Sequence, residues 1–451
     1  MTSPPLDLLT DFLKIPSVSS QPEHLPDMAA AREFLVNLFN SMGFTSKVLP
    51  SEVHPAVYAS LFSDPSKPTI LVYGHYDVQP PGAPSSWTTP PFEPDIRKER
   101  IYARGAADNK GQLLIHILTV KDLIAKYGLD NLPVNFKFII EGEEEIGSLS
   151  VEKLITQYPD LFAADYVFLS DTEMVAPGEP SIDITMRGCV DFEITVQTGS
   201  HDLHSGQFGG LAPNPAFILT HILNKLRNGR GRIQIPRFYE DIVPLSPKEL
   251  SDFRHLEPKA SEILKEGHFY YLGGGEPGIS LNRRRWSEPT LDITGLDSGY
   301  TGPGTKTIIP NTASAKISLR LVPSQDPRKI YRSFVDFVQK LIPKNTVCSV
   351  SRTAVAMPYK ADSAHPVYSL AKDILTDTFG HHAVFTGQGG SIGFIPAIAG
   401  YYHIPCVLIG FGLPDDNVHA PNEHFSLENF TGGIAAMTKI YSRLPALTSA
   451  K

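Results

Sequence analysis

Runs of consecutive apolar residues recur in the first and last parts of the chain and predict buried strands. Each run is followed by a glycine or by polar residues, and the four clearest runs cover residues 69–73, 134–140, 166–169 and 406–409. Helical patterns separate several of them, for example 111–127 and 151–158. Strands that alternate with helices are typical of a mostly parallel sheet with helices on both faces. The sequence therefore predicts an α/β fold for these parts of the chain.

A different pattern begins near residue 183, after which apolar and polar residues alternate. Residues 191–197 and 315–321 follow this alternation, which indicates strands with one solvated face. A helical pattern at 213–227 lies between them. Residues 228–312 are rich in Gly, Pro and Arg and predict a loop-rich stretch. Strands and helices mixed in this way are typical of an α+β domain.

These changes of pattern divide the chain into two predicted domains. The first is made of residues 1–186 and 358–451, and the second is an α+β insert at 187–357. A chain of 451 residues is too long for one ordinary core, which agrees with this division. We expect hinges where the chain crosses from one domain to the other.

Composition and charge exclude several classes of protein. A hydrophobic fraction of 41% and a charged fraction of 20% are those of a water-soluble globular protein. The net charge of −8 argues against a general affinity for nucleic acid. The most apolar stretch, 393–413, contains prolines and a histidine, so it predicts a buried helix, turn and strand instead of a membrane span.

The cysteines and the N-terminal residues indicate the compartment. Cys189, Cys348 and Cys406 lie far apart and match no metal-binding spacing, which suits a reducing environment. The first residues carry no basic segment ahead of an apolar one, so we expect no secretory or transit peptide. We expect a cytoplasmic protein with neither a membrane nor a nucleic acid as its partner.

Histidines and carboxylates collect just after the predicted strands. In chain order they are His75, Asp77, Asp108, Glu141, Glu143, Glu144, Glu145, Asp171 and His419. In open α/β sheets, ligands bind outside the carboxyl ends of the strands, so we expect these side chains to share one cleft. Taken singly, each has a plain structural alternative as a turn residue, a helix cap or a solvated side chain.

Taken together, these residues predict a metal centre. Many carboxylates in one cleft would repel one another unless cations offset their charge. Imidazole and carboxylate ligands suit zinc or manganese. The sequence therefore predicts two divalent ions per chain, with zinc as the first expectation and manganese as the alternative.

Nine motifs, in a fixed order along the chain, resemble those of a known family. They are GHYDVQPP, YARGAADNKGQ, EGEEEIGS, LSDT, DLHSG, KTIIPN, ISLRLVP, GGSIGFIPA and NVHAPNEHF. The chain resembles the carnosinase and cytosolic non-specific dipeptidase branch of the ArgE/DapE-like dinuclear metallopeptidases, from about residue 8 to residue 440. The resemblance implies a catalytic α/β domain with an inserted lid and dimerisation domain.

The resemblance also implies how the two ions are held. His75 and Asp171 would bind one ion, and Glu145 and His419 would bind the other. Asp108 would bridge both ions. These five residues are the expected metal ligands.

The resemblance implies roles other than metal binding for two further carboxylates, Asp77 and Glu144. Asp77 would orient the imidazole of His75 from behind. Glu144 would be the general base, which takes a proton from a metal-polarised water and returns it to the leaving amine. Glu143 falls where relatives carry an unrelated residue and receives no role. The implied reaction is hydrolysis of the peptide bond in dipeptides.

Four residues outside the metal centre are expected to contact substrate. The resemblance implies that His204 stabilises the oxyanion, and that in this branch it acts from the partner subunit of a homodimer. Arg320 would grip the substrate carboxylate with its guanidinium fork, and Thr307 would also contact the substrate. Ser391 precedes a predicted helix whose N-terminal amides can hold an anion. The structural alternatives are a turn cap for His204 and a solvent-facing strand residue for Arg320.

Two other functions stay open at this point. An N-acyl-amino-acid amidohydrolase, or aminoacylase, would use the same metal machinery. Asp171 favours a dipeptidase, because acylase relatives more often carry Glu there. A binding or scaffold protein on this fold would be expected to have lost ligands or the base, and all of these residues are present. We therefore expect an enzyme, a metallopeptidase that acts on dipeptides or short peptides.

Overall fold

The computed structural model describes residues 4–448, and the chain forms two compact units. The first unit contains the chain up to Ile184, the segment Ala361–Thr386 and the chain from Ile392 onward. The second unit contains Thr185–Lys360 and the short segment Gly387–Ser391. The sequence pattern predicts crossings at 186/187 and 357/358 and gives no indication that the chain returns to the second unit at 387–391.

The helices and strands are numbered here in chain order. The α-helices are α1 (Pro4–Leu13), α2 (Leu25–Ser41), α3 (Lys110–Tyr127), α4 (Val151–Gln157), α5 (Pro159–Phe162), α6 (Ser205–Phe208), α7 (Pro215–Leu226), α8 (Pro247–His255), α9 (Ala260–Glu266), α10 (Leu281–Trp286), α11 (Pro327–Leu341), α12 (Pro366–Phe379), α13 (Phe394–Tyr402), α14 (Leu427–Arg443) and α15 (Pro445–Thr448). The strands are β1 (Thr45–Leu49), β2 (Ala56–Leu61), β3 (Thr69–His75), β4 (Asp95–Arg97), β5 (Arg100–Tyr102), β6 (Asn135–Glu141), β7 (Tyr166–Leu169), β8 (Ser181–Met186), β9 (Gly188–Gln197), β10 (Leu203–His204), β11 (Thr290–Ser298), β12 (Ile308–Ile309), β13 (Thr312–Leu321), β14 (Val347–Ala356), β15 (Tyr359–Lys360), β16 (Val384–Gln388), β17 (Cys406–Leu408) and β18 (His424–Ser426).

The main sheet has the strand order β1-β2-β6-β3-β7-β17-β8-β15, with β16 paired to β8. Its central pairs, β6–β3, β3–β7 and β7–β17, are parallel. The flanking pairs, β1–β2, β2–β6, β17–β8 and β8–β15, are antiparallel. The predicted mostly parallel sheet is therefore confirmed at its centre. All residues of β6 and β7 are buried, which explains why both strands are near-continuous apolar runs in the sequence.

Helix α3 begins directly against β3, and a glycine makes this close approach possible. A Cβ atom on Gly74 would lie 2.9 Å from Leu113 Cδ1 and 3.0 Å from Asn109 Oδ1. Any larger residue at this position would therefore force α3 away from the sheet. The residues that precede α3 are held beside the end of β3 as a result.

The second unit is built on an antiparallel sheet with the strand order β11-β13-β9-β14. Strands β9 and β13 alternate more and less buried residues, as the sequence pattern predicts. Their apolar side chains pack against α7 and α11. The rings of Phe192 and Phe334 stack in this core with their centroids 4.2 Å apart.

The prediction of a loop-rich stretch at 228–312 is wrong in part. This stretch contains the helices α8, α9 and α10 and the strands β11 and β12. The helices are short, at nine, seven and six residues, so they span too few turns for a clear apolar period. A capping box between Ser246 and Glu249 starts α8, and that local pattern is the sequence feature that indicates it.

The apolar stretch 393–413 forms α13 and β17 with a turn between them, as predicted. Among residues 4–448, no helix has the length and apolar composition needed to cross a membrane.

Candidate metal centre

Strand ends and the segments that follow or precede other elements bring imidazole and carboxylate groups of the first unit to one place. His75 is the last residue of β3, and Asp171 follows the end of β7 by two residues. Asp108 stands two residues before α3 begins. Glu145 lies in a 3-10 turn, Glu144–Ile146, which follows the end of β6. The carboxyl ends of parallel strands meet at one edge of a sheet, so this convergence follows from the fold.

The side chains form two groups that share one carboxylate. In the first group, His75 Nε2 lies 3.0 Å from Asp108 Oδ1 and 3.6 Å from Asp171 Oδ1. In the second, His419 Nε2 lies 2.9 Å from Asp108 Oδ2 and 3.3 Å from Glu145 Oε2. Within each group the candidate ligand atoms lie within 4.8 Å of one another. Asp108 thus offers one oxygen to each group.

The donor atoms fit a pair of divalent cations. His75 Nε2 and Glu145 Oε1 are buried and have no partner with hydrogen-bond geometry among residues 4–448. Such atoms are rare in folded proteins, because each has lost its bonds to water. Imidazole nitrogens and carboxylate oxygens are also the ligands that zinc and manganese accept. Each group is therefore able to hold one ion.

Asp77 contacts one ligand residue of each group, His75 in the first and Glu145 in the second. The Nδ1 atom of His75 lies 3.0 Å from the backbone oxygen of Asp77 and 3.3 Å from its Oδ1. Asp77 Oδ2 also accepts a hydrogen bond from the backbone N–H of Glu145 at 3.1 Å. A histidine that donates through Nδ1 leaves Nε2 free for a metal. Asp77 is therefore placed to fix the tautomer of His75 and the position of Glu145.

Asn109 ties the first group to the strands behind it. Its Nδ2 donates to the backbone oxygen of Ser170 at 2.6 Å and to Asp171 Oδ1 at 2.7 Å. Its Oδ1 accepts from the backbone N–H of His75 at 3.4 Å. The sequence alone does not indicate this role of Asn109, because an Asn before a helix is ordinarily a turn or cap residue.

A buried ion pair holds the loop that carries Asp108. Glu423 Oε2 accepts from Arg104 Nη1 at 2.6 Å and from the backbone N–H of Gly105 at 3.1 Å. Glu423 Oε1 accepts from the backbone N–H groups of Ala107 and Asp108 at 3.0 and 3.1 Å. Both charged side chains are at most 1% exposed. His419, the second imidazole of the centre, lies four residues before Glu423 in the chain. The Glu423 carboxylate therefore connects the segment that carries His419 with the loop that carries Asp108.

Glu143 has a structural role that the sequence does not reveal. It is 1% exposed, and its Oε1 accepts hydrogen bonds from Ser51 Oγ at 2.7 Å and from the backbone N–H groups of Val53 and His54 at 2.8 and 2.9 Å. The side chain therefore anchors the loop at 51–54 to the end of β6.

Glu144 differs from both of its neighbours. Among residues 4–448 its carboxylate has no hydrogen-bond or ion-pair partner. Burial raises the pKa of Glu144 well above its ordinary value, His75 opposes this shift, and the carboxylates of Asp171 and Asp108 add to it. A carboxylate with a raised pKa and no protein partner is suited to exchange protons.

The other groups of the centre are shifted by burial and by one another. Burial raises the pKa of Asp171 to about 6, although His75 acts to lower it. Hydrogen bonds to Asp108 and Glu145 raise the pKa of His419 to about 10. Burial acts to raise the pKa of Asp108, but the close imidazoles of His419 and His75 lower it below its ordinary value. The two imidazoles therefore favour the charged form of Asp108.

The four predicted substrate residues lie in the second unit. Arg320 and Ser391 are brought together, with Nη1 of the arginine 3.4 Å from Oγ of the serine. The backbone N–H that follows His204 donates to the carbonyl of Thr307 at 3.0 Å. His204 is exposed, and its Nδ1 accepts a hydrogen bond from the N–H of Gly206 at 3.0 Å, which caps α6. In the neutral ring, the proton is then on Nε2, which is a hydrogen-bond donor.

Comparison with known proteins gives matches over most of the chain. The profile described as Peptidase family M20/M25/M40 matches residues 71–443. The chain is 31% identical to the Beta-Ala-His dipeptidase of Homo sapiens, over 95% of this chain and 80% of that protein. It is also 31% identical to the Cys-Gly metallodipeptidase of Schizosaccharomyces pombe, over 94% of this chain and 92% of that protein.

A solved structure of an M20 family enzyme has the same fold as this chain. The crystal structure of an M20 family metallo-carboxypeptidase from Sulfolobus solfataricus aligns with a TM-score of 0.88 at 29% identity. The alignment covers 99% of this chain and 100% of that one.

We predict that Glu423→Gln weakens both the fold and the metal centre. The substitution leaves the charge of Arg104 buried without its partner and replaces one of the two oxygens that accept hydrogen bonds from the Asp108 loop. Breaking a buried ion pair in this way costs about 3–5 kcal/mol. Chemical denaturation measures the loss of stability, and titration with a competing chelator measures the loss of metal affinity. Glu428→Gln, an exposed residue of α14, is the control. Equal stability and metal affinity in the two variants would contradict the assigned role.

Proposed function

The chain belongs to peptidase family M20/M25/M40, and we propose that it hydrolyses the peptide bond of dipeptides or short peptides at a centre of two divalent metal ions. The observation that carries this proposal is the pair of ligand groups that share the carboxylate of Asp108. The two relatives named as dipeptidases support the choice of substrate.

In this proposal five side chains hold the two ions. His75, Asp108 and Asp171 bind one ion, and Asp108, Glu145 and His419 bind the other. Zinc is the first candidate and manganese the second, because both accept these ligands. When bound, the ions supply the Lewis acidity that polarises the peptide carbonyl and the attacking water.

Glu144 moves the protons of the reaction in this proposal. Its carboxylate takes a proton from the attacking water and returns it to the amine of the leaving amino acid. The water oxygen becomes part of the new carboxylate, and the peptide C–N bond breaks. Asp77 acts through the side chains it orients and touches neither the water nor the peptide. The absence of a hydrogen bond to the Glu144 carboxylate within residues 4–448 supports the assignment of this residue as the base.

The second unit supplies the groups that hold the substrate. Arg320 binds the carboxylate of the substrate through its guanidinium fork, beside Ser391. His204 donates from Nε2 to the oxygen that becomes negative in the transition state, and Thr307 contacts the substrate nearby. The Nδ1 hydrogen bond from Gly206 supports this role of His204, because it fixes the tautomer required for donation.

The first test compares substrates and glutamates in one assay. The metal-loaded enzyme should cleave Ala-Gly and should leave N-acetyl-Ala-Gly and N-acetyl-Ala intact, with Ala-Ala-Gly included because one solved relative is named a carboxypeptidase. Glu144→Gln should keep its metal and lose turnover by ~10²–10⁴-fold, the usual contribution of positioned proton transfer. Glu145→Gln should instead lose affinity for one ion.

The exposed Glu152→Gln, on α4, is the matched control and should resemble the wild type. If the enzyme releases acetate from N-acetyl-Ala faster than it cleaves Ala-Gly, it is an aminoacylase and the proposed dipeptidase activity is wrong. Near-normal turnover by Glu144→Gln would remove this residue from the mechanism.

We also propose a homodimer in which His204 serves the active site of the partner subunit. The test is to mix His204→Ala chains with Glu144→Gln chains under conditions that allow subunit exchange. If His204 acts on the partner's site, each mixed dimer contains one complete site and one site that lacks both groups. Activity should then recover toward half that of the wild-type dimer.

Unmixed samples of each variant serve as the controls for this recovery. Demonstrated subunit exchange without any return of activity would mean that His204 acts within its own chain.

A further inference from the structure

A cavity in the second unit has more positive charge than one substrate carboxylate requires. Its volume is about 450 Å³, within the range of small-molecule sites. Five arginines and three carboxylates line it, and the arginines include Arg187 and Arg320. Two of the carboxylates, Glu276 and Glu288, pair with arginines outside the lining, so they offset little of the charge inside it.

Arg187 and Arg320 come from neighbouring parts of one sheet. Arg320 on β13 is paired with Cys189 on β9, and Arg187 lies two residues before Cys189. Both side chains also contact the segment at 387–391: Arg187 Nε donates to the oxygen of Gly389 at 3.1 Å, and Arg320 Nη1 donates to Ser391 Oγ at 3.4 Å. The serine hydroxyl in turn donates to the backbone oxygen of Arg187 at 2.5 Å.

Asp292, the third lining carboxylate, acts on Arg187 from beyond ion-pair distance. Within the part of the chain that the structure describes, no carboxylate lies within ion-pair distance of Arg187 or Arg320. Burial lowers the pKa of Arg187 to about 10, the nearby charge of Arg320 adds to this effect, and Asp292 opposes it only in part. Two like charges held together in a partly buried cavity are unfavourable until anions bind there.

Two arginines in one cavity, Arg187 and Arg320, are able to bind two anionic groups. One guanidinium is sufficient to bind one carboxylate, because its two parallel N–H groups donate to the two carboxylate oxygens. In the proposed function, Arg320 binds the carboxylate that every dipeptide carries at its C-terminus. Arg187 is then available to bind a second carboxylate on the same amino acid. Apolar lining residues, among them Ile233 and Phe269, are suited to the methylene groups that join two carboxylates.

We propose that the cavity selects substrates whose C-terminal residue is Asp or Glu, with the side-chain carboxylate bound by Arg187. This inference rests on the proposed function, because it assigns the substrate class of that same site. It makes Arg187 a specificity residue, which contacts the substrate and takes no part in the bond-breaking step.

The test compares Ala-Glu with Ala-Gln, which are nearly identical in shape and differ in side-chain charge. Wild-type enzyme loaded with metal should show a kcat/KM for Ala-Glu at least ~10-fold above that for Ala-Gln. Arg187→Gln should lower kcat/KM for Ala-Glu by roughly 10- to 100-fold, the range of one charge-assisted hydrogen bond, and leave Ala-Gln within about threefold. Arg187→Lys keeps the charge and should restore part of the preference.

Two comparisons separate selectivity from a purely structural role of Arg187. If the residue only anchors Gly389, both substrates should lose activity equally in Arg187→Gln, and Arg187→Lys should rescue neither. Arg254→Gln removes an exposed charge from α8 in the same unit and should change neither substrate. Equal kcat/KM for Ala-Glu and Ala-Gln in the wild type, or an equal loss of both in Arg187→Gln, would overturn the inference.

Binding measurements distinguish failure of this inference from failure of the proposed function. Calorimetry with the Glu144→Gln variant reports the affinity for Ala-Glu and Ala-Gln without turnover. Tighter binding of Ala-Glu that depends on Arg187 supports the inference even if wild-type enzyme cleaves neither dipeptide, a result that would overturn the proposed function alone. Equal binding of the two dipeptides overturns the inference whatever the turnover.

Discussion

The carboxylate of Asp108 faces an imidazole with each of its two oxygens, at 3.0 Å from His75 and 2.9 Å from His419. Further carboxylates surround this arrangement, and their mutual repulsion makes it unfavourable without cations between them. The fold must therefore hold these side chains in place before any ion arrives. This requirement explains why the ligands stand at the ends of buried strands and why Gly74 lets α3 approach the sheet so closely.

A layer of buried polar contacts supplies the rigidity that the ligands need. Asp77, Asn109 and Glu423 each connect two of the segments that carry the centre. Buried charges of this kind contribute little net stability, because desolvation offsets most of their attraction. Their value here is positional, since a ligand displaced by about 1 Å loses much of its effect on metal binding and catalysis.

The strands and the ligand cluster were predictable because their causes are local. The run at 166–169 became β7 with the same bounds, since a fully buried parallel strand needs consecutive apolar residues. The role of Glu423 was not predictable, because it depends on backbone N–H groups more than 300 residues away along the chain. The short helices α8–α10 carry too few turns to show a period, and the return of the chain at 387–391 depends on tertiary contacts such as that between Arg187 and Gly389.

The number and affinity of ions bound by Asp108→Asn test the shared carboxylate most directly. Wild-type protein, titrated with manganese after chelation and dialysis, should bind two ions per chain. Asparagine offers a single uncharged oxygen, so the variant should lose affinity for both ions together. Asp122→Asn, an exposed residue of α3, controls for the loss of one charge. An Asp108→Asn variant that binds two ions with wild-type affinity would contradict the account.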